Sequence, residues 1–370
     1  EEMIKFTLAA SNPPYQGSSH AQIYPLFYHT AIEVADMVSM IFPSNWQEAS
    51  KKSAKGLSRM NNEIVKRDSQ IVFIDNRKDV FDGIAGASDT NIILWKKGYD
   101  NGLSGAQKVY KEGKDPSYIT FNIEVDDVER RPELLELSTC VQAIEGDNFA
   151  PFEMSKFDIF RVPSNIFKHS HAGDFSEQSI SNDDIKVWGI EGKRIEKYHI
   201  NDFELEQIKK KNGSVDHENY VSKSTGFKFR NHSFFNRYKR LIPLLWGNMD
   251  KGTGIGGSYA DIAIAEPRDI CSYSYNACGG SDTKEGAVKT AKYMLTKFFR
   301  ALLSFNKMGK HATSETFLAI PTQDFHEDWW NESIAQIDEH LFDKYNVPDN
   351  IRTFVRSNIQ TRTESNIINL

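Results

Sequence analysis

The sequence predicts an α/β protein that begins with a parallel sheet and continues into a larger α+β region. In the first third of the chain, short apolar runs alternate with stretches of helical periodicity, which is typical of a parallel sheet with crossover helices. Further along, a hairpin-like segment and one long amphipathic segment follow, as in α+β domains. We therefore expect two domains, residues 1–125 and residues 126–370.

Four apolar runs in the first domain predict buried strands, and two periodic stretches predict helices. The strands are expected at residues 3–10, 38–42, 70–75 and 90–96, and the helices at residues 21–37 and 55–67.

The first predicted strand runs directly into Asn12-Pro13-Pro14-Tyr15. Two successive prolines exclude a helix or a strand ladder, so this segment is a rigid loop at the carboxyl end of a strand. In open α/β sheets, ligands bind at such loops. The Asn12 side-chain carbonyl and the Pro13 backbone carbonyl can accept both hydrogens of an amine, and Tyr15 can stack on the ring that carries it. The alternative is a proline-rich turn with a capping Asn.

Composition excludes several classes of protein. No apolar stretch approaches the ~18 residues of a membrane span, and the three cysteines lack the paired spacing of a disulfide scaffold or metal site. The ten histidines show no metal-ligand spacing, so we expect no metal. A cytoplasmic location without membrane contact is expected, and the net charge of −6 requires any basic surface to be local.

The order SNPPYQ, VSMIFPSNW, IVFIDNRKDVFDGI and TNIILWKKG resembles the adenine-N6 DNA methyltransferases of type II restriction–modification systems, and more closely their type IIG branch. Residues 292–325 are similar to the C-terminal recognition region of that branch. The resemblance implies a partial Rossmann-like methyltransferase sheet over residues 1–125, followed by an α+β target-recognition domain over residues 126–370.

The resemblance also implies roles for the residues of the loop. Asn12 and the carbonyl of Pro13 would hold the amine of the target adenine, with Pro14 in the same motif. Tyr15 would stack on the base, and Phe81 would close on its other face. The partner would be double-stranded DNA with the adenine flipped out of the duplex. For Phe81, a core aromatic beside a strand is the alternative.

The donor implied by the resemblance is S-adenosylmethionine, which the family binds upstream of this loop through a glycine turn and an acidic residue. Only eleven residues precede Asn12, whereas a strand, helix and second strand need about 30. Residues 252–257 satisfy GxGxxG but lack the strand before and the helix after, so a glycine turn in the recognition domain is favoured there. We therefore expect the donor half to be missing and the chain to be inactive alone. An N-terminal methylase or nuclease portion, or a second chain, would supply that half.

A basic segment at residues 223–240 carries six cations and no acid. Aromatic residues alternate with these cations, which suits phosphate contact and base stacking. The alternative is a pair of edge strands with a lysine-rich solvent face. The candidate DNA-binding residues are Lys223, Lys228, Arg230, Arg237, Lys239 and Arg240.

Three further elements are predicted in the second domain. Residues 185–200 read as a hairpin turning at Glu191-Gly192, and residues 203–211 read as a short helix ending in three solvated lysines. Residues 283–308 read as one long helix, with Ser281 and Asp282 as cap candidates.

Two other functions remain open. The chain could be a non-catalytic DNA-binding remnant or specificity module, or it could methylate amines of RNA or protein, since Asn-Pro-Pro-Tyr loops also occur in such enzymes. The long region that follows the predicted catalytic strands favours a duplex-reading enzyme.

Overall fold

The computed structural model shows a mixed α/β protein with several sheets. It describes residues 5–17, 22–43, 60, 71–77, 90–98, 106–110, 117–120, 132–154, 158–163, 185–191, 194–200, 203–223, 227–244, 259, 261–306 and 314–369. The chain divides into two compact units, Glu1–Leu135 and Glu136–Leu370.

The first unit contains a six-stranded sheet with the order β1-β2-β4-β3-β5-β6. Its elements are β1 Phe6–Ser11, α1 Tyr24–Val34, β2 Ala35–Pro43, β3 Ile71–Arg77, β4 Thr90–Lys96, β5 Ala106–Tyr110 and β6 Ser117–Thr120.

Strand directions in this sheet are mixed, which corrects the expectation of a parallel sheet. β1 is parallel to β2, and β3 is parallel to β5. β4 lies antiparallel between β2 and β3, and β6 is antiparallel to β5. The strands β1, β2, β3 and β5 therefore share one direction, and the carboxyl ends of β1, β2 and β3 lie at the same edge.

Helix α1 connects the two parallel strands and covers one face of β2. Pro25 lies in its first turn, where a missing N–H costs nothing and the fixed φ suits a helix. The Tyr24 ring stacks on Phe42 of β2 at a centroid distance of 5.0 Å, and Tyr28 meets the same ring edge-on at 6.4 Å. The helix stops at Val34, earlier than predicted, because the chain is already extended at Ala35.

The position of β1 at the end of the sheet explains why the burial predicted for it is wrong. Phe6 is 54% exposed and Leu8 is 53% exposed. Among the described residues, only β2 pairs with β1. The apolar run therefore forms the predicted strand, but the Phe6 and Leu8 side chains are exposed rather than buried.

The described residues of the second unit form three smaller sheets with the orders β14-β7-β8, β11-β10-β9 and β15-β12-β13-β16. The predicted hairpin is confirmed as antiparallel β7 and β8. The strands are β7 Ile185–Glu191, β8 Arg194–Ile200, β9 Phe203–Lys209, β10 Val215–Ser222, β11 Lys228–Arg230, β12 Tyr238–Pro243, β13 Ile262–Ala265, β14 Ile270–Cys271, β15 Tyr275–Ser281 and β16 Ile367–Ile368.

The predicted helix at residues 203–211 is wrong. The sequence FELEQIK forms β9, which pairs with β10 from Phe203 to Lys209. The alternation of apolar and polar residues in this segment is a strand signal, and the lysine run that follows leads into a hairpin turn.

The predicted long helix is two helices. The chain is extended at Thr296, with ψ of 152°, and a new helix begins at Lys297. The buried Asp338 accepts hydrogen bonds from the N–H groups of Lys297 and Phe298, both at 2.8 Å. The helices are α2 Pro132–Glu145, α3 Lys284–Leu295, α4 Lys297–Asn306, α5 Ile334–Lys344 and α6 Asp349–Asn358.

The cap of α3 is neither Ser281 nor Asp282. Thr283 is the N-cap residue, and its Oγ1 accepts a hydrogen bond from the N–H of Gly286 at 3.1 Å. One residue separates the predicted boundary from the observed one.

Candidate functional site

The Asn12–Tyr15 loop lies at the carboxyl end of β1, as the sequence predicts. Ser11, the last residue of β1, is in register with Met40 of β2. The loop thus leaves the edge of the sheet at which β2 and β3 also end. Asn12 and Pro14 are exposed, Pro13 is buried, and Tyr15 is half-buried.

Backbone contacts hold this loop against the start of α1. The N–H of Ile23 donates to the carbonyl of Tyr15 at 3.1 Å, and Gln16 forms an antiparallel bridge with Gln22. The buried Pro13 ring adds a second anchor. Asn12 is therefore an exposed residue on a backbone that β1 holds on one side and the contacts of Tyr15 and Gln16 hold on the other.

Tyr15 packs against the core of the first unit, which includes Tyr24 and Phe42. Its Oη is buried and has no hydrogen-bond partner among the described residues. Burial raises the pKa of the Tyr15 hydroxyl. A buried hydroxyl without a partner is uncommon in folded proteins, and this one lies three residues from Asn12.

Two predicted site segments, Phe81 and the glycine-rich residues 252–257, lie outside the described residues. For Phe81, the topology gives one relevant fact. The preceding strand β3 ends at Arg77, at the edge of the sheet that carries the Asn12–Tyr15 loop.

Three of the six cations of the basic segment pair with carboxylates. The pairs are Lys223 with Glu204, Lys228 with Glu206 at 2.9 Å, and Arg237 with Asp282 at 3.0 Å. All six of these side chains are at least one-third exposed, so each contact contributes about 0–1 kcal/mol and can be exchanged for another partner. A fourth cation, Arg230, is half-buried.

The remaining two cations, Lys239 and Arg240, are buried in β12. Lys239 Nζ donates to the carbonyls of Arg237 and Glu266 at 3.0 and 2.8 Å, and burial lowers its pKa to about 8. Arg240 Nη1 donates to Ser281 Oγ at 3.4 Å, and burial lowers its pKa to about 10. Neither side chain reaches the surface where a duplex could meet it.

The stacking surface expected from the interleaved aromatics is not formed by the four phenylalanines of this segment. All four are buried and belong to the hydrophobic core that includes Trp188. These residues are Phe227, Phe229, Phe234 and Phe235.

No family model and no curated protein matches this sequence. The fold is weakly similar to a solved type IIG restriction endonuclease, BpuSI. That match has 10% sequence identity and a TM-score of 0.32, and it covers 96% of this chain and 48% of the other. The chain therefore spans about half the length of that structure. The TM-score is too low for the similarity to support a fold or a function.

Two kinds of feature are absent from the described part of the chain: a grouping of side chains that could hold a metal ion, and a helix that could cross a membrane. Within the described ranges, no three His, Cys, Asp or Glu side chains are arranged to hold a metal ion. In the same part of the chain, no helix combines the length and apolar character needed to cross a bilayer.

Sequence reasoning missed the exposed hairpin between β9 and β10, which carries three consecutive lysines. Asn212-Gly213 between two alternating segments is a strong hairpin signal, and it was available in the sequence. The lysine run directed the interpretation towards a helix end instead.

Proposed function

We propose that this chain forms the acceptor side of a DNA adenine-N6 methyltransferase of the restriction–modification type. One observation carries the proposal. The Asn12–Tyr15 loop, with its exposed Asn12, is fixed at the edge of the sheet where β1, β2 and β3 all end.

In the proposed reaction, the Asn12 side-chain oxygen and the Pro13 carbonyl accept the two hydrogens of the adenine amine. Accepting both orients the nitrogen lone pair away from the loop and towards an electrophile. The base must leave the duplex to reach this position, and Tyr15 would then stack on the extruded ring.

The electrophile in this proposal is the methyl group of S-adenosylmethionine. None of the described elements is assigned to binding it. We propose that a further portion of the same gene product holds this donor next to the loop.

The sheet of the first unit is compatible with part of a Rossmann-like domain. β1, α1 and β2 form a strand–helix–strand unit with parallel pairing, which is the basic repeat of such domains. The antiparallel strand β4 beside β2 is a departure from a fully parallel sheet. The loop position depends on the strand–helix–strand unit, which is present.

The second unit is proposed to bind the DNA. Lys223, Lys228 and Arg237 lie in exposed ion pairs, and phosphate could replace the carboxylate in each. Lys239 and Arg240 are left out of this proposal because they are buried.

Formation of N6-methyladenine tests the proposed function. The protein is expressed from its natural gene in a host whose DNA lacks this base, and the genomic DNA is digested and measured by mass spectrometry. The unaltered gene is expected to introduce N6-methyladenine. Asn12→Ala should lower its amount by about a hundredfold or more, because the amine loses the group that orients it.

Asn148→Ala is the matched control, since Asn148 is exposed in a short turn of the second unit. This variant should methylate like the unaltered protein. Duplex binding without any N6-methyladenine would overturn the proposal in favour of a non-catalytic DNA-binding protein. Equal methylation by Asn12→Ala would remove the amine-holding role.

A further inference from the structure

The hairpin of β9 and β10 projects from the second unit as a two-stranded ribbon. β11 pairs with β10 only at Asn219–Val221. Beyond that point, Gln207, Ile208 and Lys209 pair with β10 alone among the described residues. Between Glu204 and Asp216, every residue except Ile208 is exposed. The ribbon therefore reaches into solvent at its distal end.

Internal hydrogen bonds fix the turn at the tip of the ribbon. The N–H of Lys210 donates to the carbonyl of Ser214 at 2.8 Å, and the N–H of Gly213 donates to the carbonyl of Lys210 at 2.9 Å. Asn212 Oδ1 accepts from the N–H of Ser214 at 3.1 Å. Gly213 has φ of +83°, a conformation that glycine adopts without strain. The tip is thus preorganised, which lowers the entropic cost of binding.

Positive charge is concentrated at this tip. Lys209, Lys210 and Lys211 are consecutive and exposed. Lys210 lies 3.6 Å from Asp216, whereas no described carboxylate is within ion-pair distance of Lys209 or Lys211.

Acidic side chains nearer the base of the ribbon do not offset the charge at the tip. Glu204 pairs with Lys223, and Glu206 pairs with Lys228. In the free protein the two glutamates of β9 are thus paired with lysines, Glu218 of β10 accepts a hydrogen bond from Asn231, and the three consecutive lysines lie at the distal end of the ribbon.

We infer that this lysine-bearing tip binds the phosphate backbone of double-stranded DNA, with the ribbon entering the major groove. The inference rests on the proposed function, to which it adds a contact element. Two strands about 4.8 Å apart, advancing about 3.3 Å per residue, form a ribbon narrow enough for a groove about 12 Å wide. Lysines at the end of such a ribbon can reach phosphates at the groove walls.

The same geometry selects DNA over double-stranded RNA. The major groove of A-form RNA is deep and too narrow for protein elements to enter. A ribbon that inserts its tip should therefore distinguish the two duplexes, whereas a diffuse basic surface would not.

Fluorescence anisotropy of the full chain with a labelled random-sequence DNA duplex tests the inference. The variant is the double substitution Lys209→Gln with Lys211→Gln. Each lost phosphate contact reduces the steepness of log K against the logarithm of salt concentration by about 0.9. The loss of two contacts therefore lowers the DNA affinity at about 0.1 M salt by roughly 60-fold. The salt dependence should become correspondingly shallower.

The double variant Lys96→Gln with Lys97→Gln is the matched control. These lysines are also consecutive and exposed. Lys96 is the last residue of β4 and Lys97 follows it, at the edge of the sheet opposite to Asn12. The control loses the same charge and should bind DNA within about twofold of the unaltered chain.

Unchanged DNA affinity in the Lys209→Gln, Lys211→Gln variant would overturn the inference and leave the proposed function intact. The same conclusion would follow if the unaltered chain bound an RNA duplex of the same length as tightly as DNA. An unaltered chain that binds no duplex would overturn both. Circular dichroism and the thermal midpoint check that both variants remain folded.

Discussion

Two consecutive glycines of β15 each make room for one arginine side chain: Gly279 for the buried Arg240 and Gly280 for Arg237. The register of β12 and β15 shifts between Lys239 and Arg240, which leaves Gly279 as the extra residue of a bulge with φ of +39°. A Cβ on Gly279 would collide with Arg240 Nη2, and one on Gly280 would lie 2.7 Å from Arg237 Nη1. The guanidinium groups thus occupy space that any other residue would fill.

We expect Gly279→Ala to destabilise the fold by about 2–4 kcal/mol, the sum of backbone strain and overpacking. Gly146→Ala is the control, because Gly146 also has a positive φ, of +51°, but a Cβ there would meet nothing within 4 Å. It should cost about 1–2 kcal/mol. Urea unfolding measures the loss of unfolding free energy in both variants. Equal losses would show that backbone strain alone, without overpacking against Arg240, destabilises Gly279→Ala.

The start of α4 depends on a side chain from another helix. The apolar periodicity continues past Thr296, but the backbone is extended there, and Asp338 of α5 accepts hydrogen bonds from the first N–H groups of the new helix. Burial raises the pKa of Asp338 to about 6, against the opposing effect of these hydrogen bonds. The two helices therefore form one unit with a titratable contact.

The raised pKa of Asp338 makes stability depend on pH. Because the folded state binds this proton more tightly, the stabilisation is present below about pH 4 and is lost as pH rises through about 6. Over this pH range, the contribution of Asp338 to the unfolding free energy falls by about 3 kcal/mol. Asp338→Asn should flatten this dependence, and should cost about 1–3 kcal/mol at pH 5 because one N–H loses its acceptor.

Urea midpoints at pH 5 and pH 7 measure this effect. Asp343→Asn is the control, since Asp343 is exposed and pairs with Arg352 on the outer face of α5. It should change the unfolding free energy by less than about 1 kcal/mol at either pH. An unchanged pH dependence in Asp338→Asn would contradict the assignment.

Among the described residues, β1 is the outermost strand at one edge of the six-stranded sheet and pairs on one side only. β1 has exposed Phe6 and Leu8, and α1 has Leu26 and Phe27 exposed by 65% and 42%. Edge strands with apolar side chains are templates for further pairing. The purified protein should therefore self-associate as its concentration rises.

We expect Leu8→Lys to increase the monomer fraction, because a charge on the edge opposes pairing. Sedimentation velocity over a range of concentrations measures this. Leu318→Lys is the control, since Leu318 is 54% exposed in the second unit. A fully monomeric unaltered protein, or the same shift in both variants, would contradict the role of β1.

Local pattern and tertiary context contributed differently to this structure. The strand at residues 90–96 was predicted to the residue, and β1, α1, β3 and the β7–β8 hairpin were predicted within a few residues, because apolar runs and periodicity are local properties. The division of the long helix into α3 and α4 was not predicted, because the carboxylate that caps α4 lies 41 residues after Lys297. The lysine turn of the β9–β10 ribbon was misread although its signal was local.

The sequence by itself determined the β1–α1–β2 unit and the rigid Asn12–Tyr15 loop at the end of β1, because prolines and apolar runs constrain the backbone wherever they occur. The predicted helix at residues 55–67 lies outside the described residues except for residue 60. Only the tertiary structure decided which cations are accessible. Lys239 and Arg240 look like their exposed neighbours in the sequence, yet they lie inside a sheet, since burial depends on strand neighbours contributed from distant parts of the chain. The exposure of β1 and of the lysine-bearing ribbon was decided in the same way, by the absence of neighbouring strands among the described residues.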